Sequence, residues 1–346
     1  MRTTKQHDPA DAGSAPGAAA TMRAAVQDRY SADPEGLLRL AEIPRPQIGP
    51  GEVLVRVHAA SVDRGTWHLM AGLPYPVRAA GFGLRRPKLA NPGRTLAGTV
   101  VAVGARVTGL NPGDEVFGIG TATFAEYARA RADKLAARPP SLSAEQAATL
   151  GISGLTALQS VRKYGRVTAG QKVLVLGASG GVGAFALQLA RAAGAEVTGV
   201  CTTTKMDLVR GLGADHAVDY TRDDALDGRT RYDVVIDTGG NRRLADLRRA
   251  LTPAGRLVIV GGETGGRWLG GLDRQLRAPL LSPFVGQWLG SVVTSENADD
   301  LRTLAELCES GALRTAVDRT YPLAETAAAI RHLLDGKVRG KVVITV

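Results

Sequence analysis

Hydrophobic and polar positions change their spacing along this chain. From residue 22 to about 150 the spacing is that of short strands. Residues 52–59 (EVLVRVHA) alternate apolar and polar side chains, the period of a half-buried strand. Residues 98–103 (GTVVAV) and 115–117 read as further strands, separated by Gly-Ala and Asn-Pro-Gly turn signals. A partly open antiparallel β-barrel is expected there. From about 151 to 294, strands alternate with helices. Residues 172–176 (KVLVL) form a buried-strand run, and 182–193 has helical periodicity. Residues 196–200, 217–219, 233–237 and 256–260 read as strands, with a helix over 241–250 between the last two. This alternation predicts a parallel, doubly wound sheet, so the fold class is α/β. After residue 296 come a helix and a final strand, 341–346 (KVVITV).

Composition narrows the classes. A chain of 346 residues, 44% hydrophobic, can bury a core of about two domains. The 43 glycines suit an α/β protein with many tight turns. The two cysteines, Cys201 and Cys308, have neither disulfide-framework nor metal-ligand spacing, which favours a reducing cytoplasm. No apolar run approaches the roughly 20 residues of a membrane span. Residues 1–21, rich in Ala, Gly, Pro and Asp without a hydrophobic stretch, read as a disordered extension. The formal charge of +10 comes mainly from arginine, in clusters such as Arg242, Arg243, Arg248 and Arg249. No aromatic platform accompanies them, so a solvated basic surface is expected rather than nucleic-acid binding.

Candidate chemistry begins where strand 172–176 runs into Gly177-Ala178-Ser179-Gly180-Gly181-Val182-Gly183 and then a helix. Small residues here let backbone approach a pyrophosphate, whose charge is favoured at the helix N-terminus. The next strand ends in Cys201-Thr202-Thr203-Thr204-Lys205. An NAD-preferring site usually places a carboxylate there to accept from the ribose hydroxyls. Hydroxyls and an ammonium suit a 2′-phosphate instead. NADPH is the expected cofactor.

The segments GASGGVGAFALQLARAAGAEVTGV, GLGADHAVDY, RRALTPAGRLVIVGG and GKVRGKVVITV resemble the quinone oxidoreductase branch of the medium-chain dehydrogenase/reductases. The resemblance covers about residues 22–346 and keeps the order of the motifs. It implies a GroES-like catalytic domain (22–150 and 295–346) around a Rossmann domain (151–294), with the active site in the cleft between. It also implies a homodimer through Rossmann sheet edges and a small-molecule substrate. By motif, Ser179, Gly180, Gly181 and Val182 resemble the pyrophosphate turn, and Thr202, Lys205 and Tyr220 the residues holding the 2′-phosphate. Thr156 resembles the residue near the nicotinamide amide. Val260 and Gly261 resemble the loop under the nicotinamide ribose, and Lys341 the closing basic residue.

The zinc-ligand positions of metal-dependent members correspond here to Asp63, Arg94 and Ile152. Arginine and isoleucine cannot complete a catalytic zinc site, so no metal is expected. Asp63 and Arg94 are expected to pair in its place, or His68 to neutralise Asp63. Asp63 and Thr66 replace the Asn-x-x-Asp pattern of quinone reductases. His68, five residues on, and Tyr75 are candidate proton donors; His58 and His216 read as structural. The expected reaction is reduction of a polarised C=C or a quinone by NADPH. Metal-independent carbonyl reduction and a noncatalytic NADPH-binding protein are the alternatives.

Overall fold

The computed structural model describes residues 20–262 and 266–346. The extension expected at 1–21 lies outside the described residues as far as residue 19, while Thr21 opens a strand. Among the described residues, strands gather into three sheets. The first pairs Thr21–Val26 with Arg39–Pro44, antiparallel. The second has seven strands built around Glu52–Val62, which pairs antiparallel with Thr95–Val103, Tyr127–Arg131 and Lys341–Thr345. Glu115–Ile119 and Leu135–Ala137 extend it on one side, and Val317–Pro322 closes the other, parallel to Lys341–Thr345. Register shifts after Leu54 and Val57 mark bulges that let one strand bend between neighbours.

The third sheet is parallel throughout, in the order His216–Asp219, Glu196–Cys201, Lys172–Leu176, Tyr232–Asp237, Leu251–Ile259, Trp288–Ser291. Chain direction across the sheet reverses between Lys172–Leu176 and Tyr232–Asp237. A crevice forms there, beyond the carboxyl ends of the strands. The last strand, Lys341–Thr345, belongs to the sheet of Glu52–Val62 rather than to this one, so the chain returns to its first half.

Strands with two buried faces keep their expected bounds to within one residue. Lys172–Leu176 is fully buried after its first residue and coincides with the sequence reading. Three others reach beyond it: Glu52–Val62 runs up to Asp63, Thr95–Val103 begins three residues earlier, and Leu251–Ile259 begins five earlier, through a Pro-Ala-Gly stretch that reads as a turn. The helix expected over 241–250 is shorter, Leu244–Arg249. A helical run continues from Ala144 to Gly165, alternating α and π turns, across the boundary expected at 150/151. No loop marks the division there; the run is buried from Ala147 to Val161 apart from the half-buried Ile152. One core cluster joins Phe117 and Ile119 of the barrel to Leu155, Leu158, Val173 and Leu301, so the walls of the crevice share an interior.

Helix Gly181–Ala192 lies close against the turn that precedes it. A Cβ at Gly183 would lie 2.2 Å from the Gly177 carbonyl oxygen, closer than any contact allows. Gly183→Ala should lower stability by about 1–3 kcal/mol, read as a lower urea midpoint at unchanged slope. A variant as stable as the parent would mean that the turn yields without cost.

Candidate active site

A cleft of about 1030 Å³ opens at the carboxyl ends of the parallel strands and reaches the end of strand Glu52–Val62. All eleven residues expected to hold the cofactor line it: Thr156, Ser179, Gly180, Gly181, Val182, Thr202, Lys205, Tyr220, Val260, Gly261 and Lys341. So do Asp63 and His68 of the expected catalytic set, whereas Tyr75 does not.

At one end, strand Glu196–Cys201 delivers the turn Thr203–Lys205. The Lys205 ammonium donates to the Gly336 carbonyl (2.6 Å), and burial pulls its pKa below the ordinary lysine value, opposed by Asp318. The nearby Asp219 carboxylate is turned to protein donors. It accepts from the Thr203 hydroxyl and from the Thr221 hydroxyl (2.7 Å) and amide (3.0 Å). Those bonds, Thr203 first, hold its pKa below the usual range. The cleft lining at this end therefore carries a cation and hydroxyls but no carboxylate.

In the middle, Gly177 takes φ +77, and Gly180 caps helix Gly181–Ala192 without a side-chain acceptor. Backbone N–H groups of that first turn are therefore left to face a ligand anion. A Cβ on Gly180 would meet only the Gly177 carbonyl oxygen at 3.4 Å, so the cradle is open; one on Gly181 would meet Lys341 Cδ at 2.7 Å. This arrangement fits a dinucleotide pyrophosphate. Gly336 and Gly340 also line the cleft, and the Gly340 amide donates to the Ser179 carbonyl (2.9 Å). Sequence reading assigned no role to this returning loop.

At the far end, Thr156 shares a hydroxyl contact with Thr294 (2.9 Å). A second unforeseen pair supports the Val260–Gly261 loop. Arg274, 6% exposed, bonds the fully buried Asp237 carboxylate (2.7 Å) and the carbonyls of Arg242 (2.6 Å) and Gly261 (3.0 Å). Neither residue has a local sequence signal, since they meet only through the packing of helix Leu272–Leu281 on the sheet.

The expected Asp63–Arg94 pair does not form. Arg94 bonds Glu296 (2.8 Å), which also binds Lys134 (2.7 Å). Asp63 is neutralised by Lys341 instead, and its Oδ1 also accepts from the Ser153 hydroxyl (2.5 Å). The Lys341 ammonium donates further to the Val62 carbonyl and to Ser153 Oγ, both at 3.1 Å. Nor does His68 neutralise Asp63. Its Nδ1 donates to the Leu73 carbonyl (2.7 Å), and the residue borders the cleft. Asp63 Oδ2 is buried with no protein partner, although the residue borders the cleft. Thr66, expected to be a polar site position, is a helix-start residue: its hydroxyl accepts from the Asp63 amide (3.3 Å). Tyr75 is held elsewhere, its ring edge-on to Trp268 (5.2 Å between centroids) with Arg78 over its face.

Family comparisons agree with this architecture. Residues 49–141 match the alcohol dehydrogenase GroES-like domain and residues 212–344 the zinc-binding dehydrogenase family. A mitochondrial NAD(P)H oxidoreductase of Mus musculus is 30% identical, covering 86% of this chain and 82% of its own. The 2-methylene-furan-3-one reductase of Solanum lycopersicum is 31% identical, covering 86% and 73%. The solved quinone oxidoreductase of Coxiella burnetii superposes with a TM-score of 0.81 at 28% identity, covering 94% of this chain and all of that one. The chain belongs to the medium-chain dehydrogenase/reductase superfamily, in which a GroES-like domain accompanies a Rossmann-like parallel sheet. It is an oxidoreductase of a nicotinamide-using family.

Lys341 and Asp63 are 3% and 7% exposed, so neither charge has water to fall back on. Lys341→Met should cost about 3–5 kcal/mol by stranding the carboxylate. Adding Asp63→Asn should recover much of that loss. Chemical denaturation of both variants measures the effect; equal stability of Lys341→Met and the parent would show the pair to be dispensable.

Proposed function

We propose that this protein is a zinc-independent reductase that uses NADPH to reduce an activated C=C bond or a quinone. The observation that carries the reading is the convergence of the eleven expected cofactor residues on one cleft, with Lys205 rather than a carboxylate at its adenosine end. Bound there, NADPH supplies the hydride. The chain positions the acceptor over the far end, excludes water with Ile152, Val182, Val260 and Val292, and manages the proton. In this reading His68 is the proton source, because its imidazole lies on the cleft lining beside Asp63.

Zinc does not fit these residues. An ammonium, Lys341, already takes the Asp63 carboxylate, Arg94 is a cation paired with Glu296, and Ile152 offers no donor atom. No group of three or more His, Cys, Asp or Glu side chains suited to a metal occurs among the described residues. Within the same reading, the domains divide as 22–150 with 295–346, and 151–294. Two copies pair along the open edge strand Trp288–Ser291, beside the exposed side chains Leu276, Leu280 and Phe284. The setting is cytoplasmic, and no described helix is long and apolar enough to cross a membrane.

Lys205→Ala should weaken NADPH binding by about ten- to a hundredfold, the worth of one charge-assisted contact, while NADH binding stays nearly level. Equal losses would remove Lys205 from the phosphate site. His68→Ala should slow turnover of an enone or quinone by about 10²–10⁴-fold with little change in NADPH affinity. Unchanged turnover would pass the proton to water or substrate. Binding of NADPH without its consumption across enone, quinone and carbonyl panels would instead favour the noncatalytic alternative, and stoichiometric zinc by elemental analysis would overturn the metal-free reaction.

A further inference from the structure

We infer that Arg339 sets the cofactor preference from outside the cleft, by neutralising Asp207 beside the turn that would receive the 2′-phosphate. The inference rests on the NADPH reading above. Residues 336–340 link helix Thr326–Leu334 to the returning strand Lys341–Thr345, and Gly336 and Gly340 at their ends border the cleft. Between them, the Arg339 guanidinium donates to the Thr204 carbonyl and forms an ion pair with Asp207 (2.6 Å). Thr204 belongs to the turn Thr203–Lys205, and Asp207 lies on the helix that follows directly, Met206–Gly211. The chain thus clasps the same turn twice, since Lys205 bonds Gly336.

The charges explain why the clasp matters. Asp207 is a carboxylate two residues from Lys205, and left bare it would repel a phosphate dianion. Asp318 acts on Lys205 and Arg339 from the neighbouring strand while bonded to His332 (2.8 Å). Lys205, Arg210 and Arg339 balance Asp207, Asp219 and Asp318, so without Arg339 the cluster carries a net negative charge. The Asp207 side chain is 73% exposed and that of Arg339 36%, so the pair adds little to folding. The field at the turn is where it would act. A ligand without the 2′-phosphate would feel that field much less.

Fluorescence titration of NADPH and NADH at low ionic strength tests this. Arg339→Gln keeps an amide donor for the Thr204 carbonyl while removing the charge. It should weaken NADPH by about tenfold, the effect of one charge a few ångströms away at intermediate dielectric, and leave NADH nearly unchanged. Asp207→Asn added to Arg339→Gln should restore the preference, and Arg339→Lys should preserve it. The Arg339→Gln deficit should shrink in high salt. Equal weakening of both cofactors, an unaltered preference in Arg339→Gln, or failure of Asp207→Asn to restore it would each overturn the inference. A parent protein that binds NADH as tightly as NADPH would overturn the cofactor reading and this inference together; one that prefers NADPH while Arg339→Gln is unaffected would overturn this inference alone.

Discussion

Three distant stretches of chain meet at the buried contact of Lys341 with Asp63 and Ser153. Asp63 ends the long barrel strand, Ser153 lies in the helical run leading into the parallel sheet, and Lys341 opens the strand that returns from it. Charges removed from water cost several kcal/mol each unless paired and hydrogen-bonded. The pair therefore restricts how these stretches can be arranged, whatever it adds to net stability. Both charged residues stand on the lining of the cleft.

Around this junction the cleft is assembled from parts of different origin. The parallel strands present their carboxyl ends at the topological switch point, where loops rather than side chains of the sheet are free to meet a ligand. The returning loop adds Gly336 and Gly340 to the lining at the Lys205 end, tied by Lys205 and by the Ser179 carbonyl. On the opposite side, Arg274 and Asp237 brace the loop at Gly261 from below. Several of these links bond backbone carbonyls or amides, so they constrain loop shape more than side-chain identity.

Asp63 and Thr66 stand where the quinone reductase resemblance implies Asn and Asp. Asp63 Oδ1 is saturated by Lys341 and Ser153, while Oδ2 remains a buried acceptor beside the cleft. Such an atom is satisfied only by a donor from a ligand or water. Thr66, the other altered position, has moved into helix capping and faces no such demand.

Local spacing carried the sheet types and the glycine turn, whereas Tyr220 was singled out only by the family resemblance. A buried strand such as Lys172–Leu176, the buried helix Gly181–Ala192 and the Gly-rich turn between them each carry their signal within a dozen residues. Short or half-exposed strands carry much less. Trp288–Ser291 has four residues, one of them glycine, and Val317–Pro322 has no fully buried position; both went unread. Charge partners were the least legible. Asp63 and Lys341 are separated by 278 residues and Arg94 and Glu296 by 202, so a motif position could suggest a vacancy but not its occupant. Only the folded chain decided that the returning strand, and not Arg94, would bring a cation to Asp63. Local pattern encodes which face a residue turns to the core, but the pairing of buried charges depends on which elements the completed fold brings within hydrogen-bonding distance.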